Sequence, residues 1–578
     1  MTMRYFQEEL ALLKELASEF AAAHPALAPM LGGPYADADV ERLFEGVAFQ
    51  NALLREKLED DFPELINDLA LLLCPQFLRP IPATTTVAFS PHPSMAKPLT
   101  IPAGAQLGSL PIDGTSCLFR TCWSIQLHPL ELLDATFAQP AGTPPAVVLS
   151  CQLNGITLDD WQPEVISFFL CNDYPAASNL YSLLRRQLRR IVIAPEAGGR
   201  AVELPPDCLV ERGLAGEDAV IPYLPEAFPG YRLIQEYFLV PQRFLFLDLV
   251  GWECWIDRGS GSRFTVRLEL ESSAGPAQRI TRDNVVLFAV PAVNLFCHDA
   301  VPVRLDHRKE RYRVRPEGLT AAQAQVFSVD KVFGLSPQGS RKRCFRPFHL
   351  FGASSSDEPV FHTSLVKSPV SGALDHFVSV TYPASGSLPE PETLSIAITC
   401  TNGSLAERLR VGDLSHATGL SPEFTSFRNV TPVTPAVMPP LGENSLWRLV
   451  SLLALNGSSL ESAEKLRTLL ALLLFDEQNR DRVAVAANRK RIDSIEDLVA
   501  RPAERLVRGV PIRGREISVR IRGDGFAGGG DLYLFGAVLE RFLAGYATLN
   551  SFTRLALHDV VKGDTIQWQP RLGHQPLL

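Results

Sequence analysis

Apolar residues recur at three- and four-residue spacing through the first stretch of the chain. Phe6, Leu10, Leu13, Ala17 and Phe20 fall on one stripe, which predicts an amphipathic helix. His24-Pro25 and Gly32-Gly33-Pro34 end it. Asp37 or Asp39 is placed to cap a second helix carrying Val40, Leu43, Phe44, Val47, Leu54 and Leu58. Pro63 suits the first turn of a third helix, whose apolar side is Leu65, Ile66, Leu69, Leu72 and Leu73, and Pro75 stops it. Helices this apolar form a bundle of their own or pack on a partner's helix; spacing alone leaves both open.

Arg79-Pro80-Ile81-Pro82 is a stiff, extended exit from the helices. Beyond it the period shortens to two. Short β-type runs alternate with proline and glycine punctuation, as at 84–89, 147–153, 244–250, 264–270 and 285–290. Val266, Leu268 and Leu270 alternate with Arg267 and Glu269, as on a half-buried antiparallel strand. One helix is expected over 179–190. The proline-rich run 430–441, VTPVTPAVMPPL, reads as an extended linker. After it, helical spacing returns at 444–455 and 462–475. Ser494 with Asp497 resembles a capping box opening a short helix that ends before Pro502. A strand at 517–521 and an amphipathic helix at 535–549, ended by Asn550, complete the pattern. The expected fold is a multidomain α+β chain. It has a helical bundle over 1–78, β-rich domains over 79–230 and 231–440, and an α+β domain over 441–578.

Length agrees with this division, since 578 residues suit roughly three to five cores. The net charge of −9 argues against nucleic acid or an anionic membrane as the main partner. The first residues lack an apolar signal core, and the longest apolar run, 466–475, is too short to span a bilayer. A cytoplasmic protein without direct membrane insertion is expected, its ten scattered cysteines reduced and buried.

Candidate chemistry is sparse. Gly523, Gly525 and Gly528 match G-x-G-x-x-G between a strand and a helix, but the strand alternates Val519 and Ile521 with Arg520 and Arg522. A dinucleotide-binding strand is buried on both faces, so the run reads as a turn needing positive φ, and no cofactor is expected. Cys117-x4-Cys122 and Cys344-x4-His349 are isolated pairs without a second pair at zinc spacing. There is no G-x-S-x-G elbow. The arginine clusters at 185–190 and 341–343 read as solvated or protein-contacting faces.

Several runs, spread from end to end, resemble the TssF family of bacterial type VI secretion systems (also called ImpG or VasA). They include YFQEELALLKELASEF from Tyr5, DADVERLFEGVAFQNALLREKLEDDFPEL from Asp37 and LLLCPQFLRPIP from Leu71. VPAVNLFCHDA from Val290, SLWRLVSLLALNGSSL from Ser445 and FAGGGDLYLFGAVLERFLAGYATLNSF from Phe526 continue the likeness. WQPRLGHQPLL from Trp568 ends it. The family pattern absorbs the glycine run.

The resemblance implies a non-enzymatic baseplate wedge subunit, similar to wedge proteins of contractile phages. It implies TssG, a second TssF copy, TssE, TssK and the VgrG hub as partners, at a baseplate docked on the inner-membrane complex. On that reading Phe6, Leu10, Leu13, Phe20, Leu43 and Phe44, with Phe535, Leu539, Phe542 and Tyr546, are candidates for packing between subunits. Packing inside the chain is the alternative for each. Glu41, Arg42, Glu45, Arg79, Asn550 and Arg571 are polar candidates for orienting joints, with plain exposed surface as the alternative. The rival functions are a wedge protein of another contractile particle or phage tail, and a β-rich glycan hydrolase with two carboxylates facing across a cleft.

Overall fold

The computed structural model describes residues 2–23, 39–54, 77, 79–95, 97–140, 142–223, 228–271, 279–335, 342–348, 359–367, 374–382, 391–439, 462–475, 480–507 and 510–573. The helices expected at 63–73 and 444–455 lie outside these residues, as do Cys74 and His349.

The opening stripe forms helix α1 (Thr2–Ala23), and a second helix, α2, covers 39–54. Ala17 on α1 and Ala48 and Ala52 on α2 are buried. Lys14 Nζ on α1 bonds Glu41 Oε1 on α2 at 3.3 Å.

The β-rich region is built from strands distant in sequence. One five-stranded sheet places Thr84–Pro91 between Thr425–Asn429 and Ala289–Val293, followed by Thr115–Thr121 and Gln106–Ile112. Another places Arg263–Leu270 between Leu188–Pro195 and Ala146–Leu153. Strand pairing therefore crosses position 230, where helix Pro229–Leu239 begins. In Arg263–Leu270, Phe264, Val266 and Leu268 are buried, as their alternation predicts, but Glu269 is buried too. Its carboxylate is held by Arg190 Nε at 2.7 Å. Arg190 also donates to Glu203 at 2.8 Å, and Arg185 donates to the Leu209 carbonyl, so this arginine cluster is used within the chain.

One apolar core runs from Phe77 to Ile566. A separate core lies within residues 296–400, inside an eight-stranded sheet whose path runs from Phe296–Asp299 to Tyr312–Val314.

Several local expectations change. The proline-rich run is docked rather than free. Ile81 N donates to Val437 O at 2.8 Å and Val437 N to Ile81 O at 2.9 Å. Pro432 and Pro435 cannot donate, so the threonine before each proline completes the pairing. Thr431 Oγ1 accepts from Thr86 N at 2.8 Å, and Thr434 Oγ1 from Thr84 N at 3.0 Å. Ser494 does not open a helix; it closes one, Arg482–Asp493, by donating from Oγ to Lys490 O at 2.6 Å. The following residues form strand Ile495–Val507, which tolerates Pro502 because it is an edge strand. Helix Gly529–Ala544 stops before Asn550, which instead adopts φ of 66° just ahead of strand Ser551–Asp559. Cys117, Cys151 and Cys400 are buried, but Cys254, Cys297 and Cys344 are exposed, contrary to expectation. The described cysteines are free thiols.

Candidate functional site

Two features stand out among the described residues: an N-terminal helix pair with exposed apolar side chains and a polar node that ties four helices.

On α1 the predicted stripe turns inward except at its last member, Phe20, which is 48% exposed. Phe6, Leu10 and Leu13 are half-buried and Ala17 is buried. A second apolar row, Leu12, Leu16 and Phe20, is about half exposed. Spacing of four puts these three on one line along the helix. On α2, Phe44 is half-buried, whereas Leu43 is 66% exposed and Leu54 61%, with Val47, Phe49 and Leu53 also exposed. Glu41, Arg42 and Glu45 lie exposed beside this surface. Arg42 Nη1 is 3.5 Å from Asp39 Oδ1, an open pair one turn apart. Such a pair adds little stability.

The node is formed by four further helices: α3 (Tyr174–Gln187), α4 (Pro229–Leu239), α5 (Arg482–Asp493) and α6 (Gly529–Ala544). Asp531, fully buried in the first turn of α6, is the common acceptor. Tyr174 Oη donates to it at 2.8 Å and Tyr237 Oη at 2.7 Å. Arg491 Nε and Nη2 each approach Oδ2 at 2.9 Å. Ala527 N donates to the same oxygen at 3.0 Å. A carboxylate near a helix N-terminus also meets the positive end of the helix dipole. Burial, and then the Asp531 charge, push the Tyr174 and Tyr237 hydroxyls well above the ordinary tyrosine range, so both remain donors. Four helices are thereby tied through one carboxylate. Apolar periodicity carries no trace of this node, because a lone aspartate ahead of an apolar run reads as a solvated helix start.

The glycine run serves the same packing. Gly523, Gly525 and Gly528 lack the expected left-handed φ. Their need for glycine is one of space. A Cβ on Gly525 would lie 1.7 Å from Ser494 Oγ, and one on Gly530 would lie 2.2 Å from the Ser178 carbonyl carbon. Backbone of α6 and α3 meets there, and Asn179 Oδ1 accepts from Gly530 N at 2.8 Å.

The C-terminal candidates lie inside this body. Phe535, Leu539 and Phe542 are fully buried, so their packing is within the chain. Tyr546 is half-buried and donates to Tyr231 Oη at 3.0 Å. Arg571 Nε donates to the buried Glu540 at 2.8 Å, tying the last strand to α6. Arg79 is half-buried near the separate 296–400 core, where burial lowers its pKa and the Asp330 charge opposes that. The structure therefore joins the two candidate-bearing helices α1 and α2 through Lys14 and Glu41, leaves Phe535, Leu539, Phe542, Tyr546, Arg79 and Arg571 at separate joints within the chain, and leaves Asn550 exposed.

Among the described residues, no three His, Cys, Asp or Glu side chains gather as metal ligands, and no helix is long and apolar enough to cross a membrane. The buried carboxylates of Asp531, Glu540 and Glu236 each face an arginine.

The family model "Type VI secretion system, TssF" matches residues 1–575. The chain belongs to the TssF family. Type VI secretion system component TssF1 of Pseudomonas aeruginosa (strain PAO1) is 30% identical over 631 aligned positions, spanning 100% of this chain and 99% of that protein. A TssF-family likeness also appears in solved structures. A chain of the TssK-TssF-TssG baseplate subcomplex, determined by cryo-electron microscopy, superposes with a TM-score of 0.76 at 29% identity. That match covers 92% of this chain and 100% of the other. A chain of the baseplate complex from the type VI secretion system gives 0.60 at 26% identity, covering 100% of both chains.

Proposed function

We propose that this TssF-family chain is a structural wedge subunit of a type VI secretion baseplate, and that α1 and α2 form its docking surface for TssG and a second TssF copy. The observation that carries this reading is the exposed apolar surface of the helix pair: Leu12, Leu16, Phe20, Leu43, Val47 and Leu54. Covering the exposed half of each would contribute about 1 kcal/mol, so a partner helix that covers all six gains several kcal/mol there. The solved TssK-TssF-TssG subcomplex supports TssG and TssK as partners. TssE and the VgrG hub follow from the family role, as does a place at the baseplate on the inner-membrane complex. The work is mechanical: subunit interfaces with two packings would couple hub release to sheath contraction.

The test is co-expression with the TssG-like protein of the same system, followed by mass measurement. Leu43→Glu with Leu54→Glu, and separately Arg42→Glu, should reduce TssG co-purification at least tenfold while the thermal transition of the body stays unchanged. Undiminished co-purification by both variants would overturn this assignment of α1 and α2.

A further inference from the structure

The eight-stranded sheet of residues 296–400 curls until its two ends meet. Ala300 bridges Pro316, Val301 N donates to Arg315 O at 2.8 Å, and Glu317 N donates to Asp299 O at 3.0 Å. Just past that seam the ends part. Pro302 has no N–H with which to continue the pairing. Strand Val303–Leu305 then pairs with Glu392–Thr401, and strand Tyr312–Val314 pairs with Leu374–Thr381. No pairing joins Val303–Leu305 to Tyr312–Val314 among the described strands, although only residues 306–311 connect them. In an antiparallel ladder, alternate residues turn their N–H and C=O groups to opposite sides. Each of these strands therefore turns main-chain groups toward the opening, the arrangement that accepts an added strand.

The opening is a groove of about 740 Å³. Val301, Val303 and Phe377 give it an apolar lining, and Val301 is 45% exposed. Lys309, Arg311, Arg313 and Arg315 line it with positive charge, against Glu310 as the acidic lining residue. Residues 301–317 hold six arginine and lysine residues and three carboxylates, in a chain whose net charge is −9. Part of the wall is fixed in place. Arg313 Nη2 contacts Asp375 Oδ1 at 2.5 Å, and the Arg311 guanidinium lies 5.3 Å from the Phe377 ring centre. The connecting turn is fixed too: Asp306 Oδ1 accepts from Tyr312 Oη at 2.7 Å and from Arg308 N at 3.2 Å.

We propose that an extended acidic segment of a partner protein inserts into this opening as an added strand. Its main chain would bond the two edges, its alternate apolar side chains would cover Val303 and Phe377, and its carboxylates would meet Arg311, Arg313 and Arg315. This is strand addition with charge-assisted contacts at the rim. About four residues in extended form would fill the parted length, at roughly 3.3 Å each. The proposal stands on this groove alone and holds or fails independently of the baseplate reading.

The test uses the purified full chain and a fluorescein-labelled eight-residue peptide alternating glutamate and valine, read by anisotropy. Control peptides carry lysine for glutamate, or proline for two central valines. The acidic peptide should bind at least tenfold tighter than either control and should slow amide exchange across 303–305 and 311–314. Arg311→Glu with Arg315→Glu should weaken it at least tenfold, and Arg513→Glu, on a distant strand, should leave it unchanged. Lys309→Glu with Arg315→Gln gives the same reading if the first pair fails to fold. Absence of acidic-peptide binding, equal binding of the lysine or proline peptide, or a change under twofold in the folded groove variants would each overturn the proposal. Equal binding of the proline peptide would reduce the groove to a charge-only surface.

Discussion

Replacing Asp531 by asparagine keeps the side-chain shape and removes one charge. In the native chain this fully buried carboxylate faces two nitrogens of Arg491, at 2.9 Å each, and two tyrosine hydroxyls at 2.7 and 2.8 Å. After the change Arg491 remains inside without its counter-charge, and the new amide offers donors where acceptors are needed. Breaking a buried ion pair on one side costs about 3–5 kcal/mol. Tyr174→Phe or Tyr237→Phe, which removes one hydrogen bond, should cost only about 1 kcal/mol. The readout is amide exchange in the helix 482–493, measured by mass spectrometry on the full chain. Where opening is fast compared with labelling, a loss of 3 kcal/mol speeds exchange by about 150-fold, and a loss of 1 kcal/mol by about fivefold. Asp531→Leu combined with Arg491→Met should disturb the helix less than Asp531→Asn alone, because no charge is then stranded. If Asp531→Asn leaves exchange of 482–493 within threefold of the parent chain, the node does not hold these helices together.

Further predictions follow from other buried groups. Burial pushes His128 and His376 down to about 4 from the ordinary 6.5. The unfolded chain takes up those protons first, so each imidazole should cost stability as pH falls from 6.5 toward 4, by about 3 kcal/mol in all, and have no effect above 6.5. His128→Asn, which keeps an acceptor for Trp161 Nε1, should flatten the thermal midpoint across that window; an unchanged slope would contradict this. Gly530→Ala presses on the Ser178 backbone and should destabilise by about 3 kcal/mol, whereas Gly525→Ala meets a side chain and should be relieved by Ser494→Gly in urea unfolding. Thr431→Val with Thr434→Val orphans Thr84 N and Thr86 N and should cost about 1–3 kcal/mol at each site, seen as faster exchange over 84–90.

What the sequence made legible was whatever repeats locally. The stripe of Phe6, Leu10, Leu13 and Ala17 gave a helix and its inward face, though Phe20, assigned to the same stripe, is exposed, and the alternation of Val266, Leu268 and Leu270 gave a strand. Glycine 530 and its neighbours marked a strand-to-helix turn, but their φ angles cannot be read from spacing, and their cause is an α3 backbone some 350 positions away. Ser494 shows the same limit at short range. A serine followed by an acidic residue suits a helix start, yet its hydroxyl closes the preceding helix, because Asp481 had already opened one by accepting from Ala484 N at 2.9 Å. The docked proline run was missed because proline forbids a regular ladder, while threonine hydroxyls standing in for the missing pattern depend on a strand far earlier in the chain. The basic residues at 308–315 were visible in the text, but their meaning comes from the parted seam.

The division of polar and apolar surface bears on how such a chain could carry load. Inside the body, Asp531, Arg571 with Glu540, and Arg190 with Glu269 fix elements by bonds that lose much of their strength if geometry shifts. Shear across α3 and α6 would also force the Ser178 backbone against Gly530, so the body resists sliding. The contact of α1 with α2 is of another kind. One exposed ion pair links the two helices, and their leucines still face outward. Isolated helices of this length are marginal in water, and packing supplies most of their stability. An unfilled apolar face therefore makes the order of the helix pair depend on what covers it, while the body's order is internal. On the proposed reading, a partner's rearrangement would move the helix pair against a body held by internal bonds.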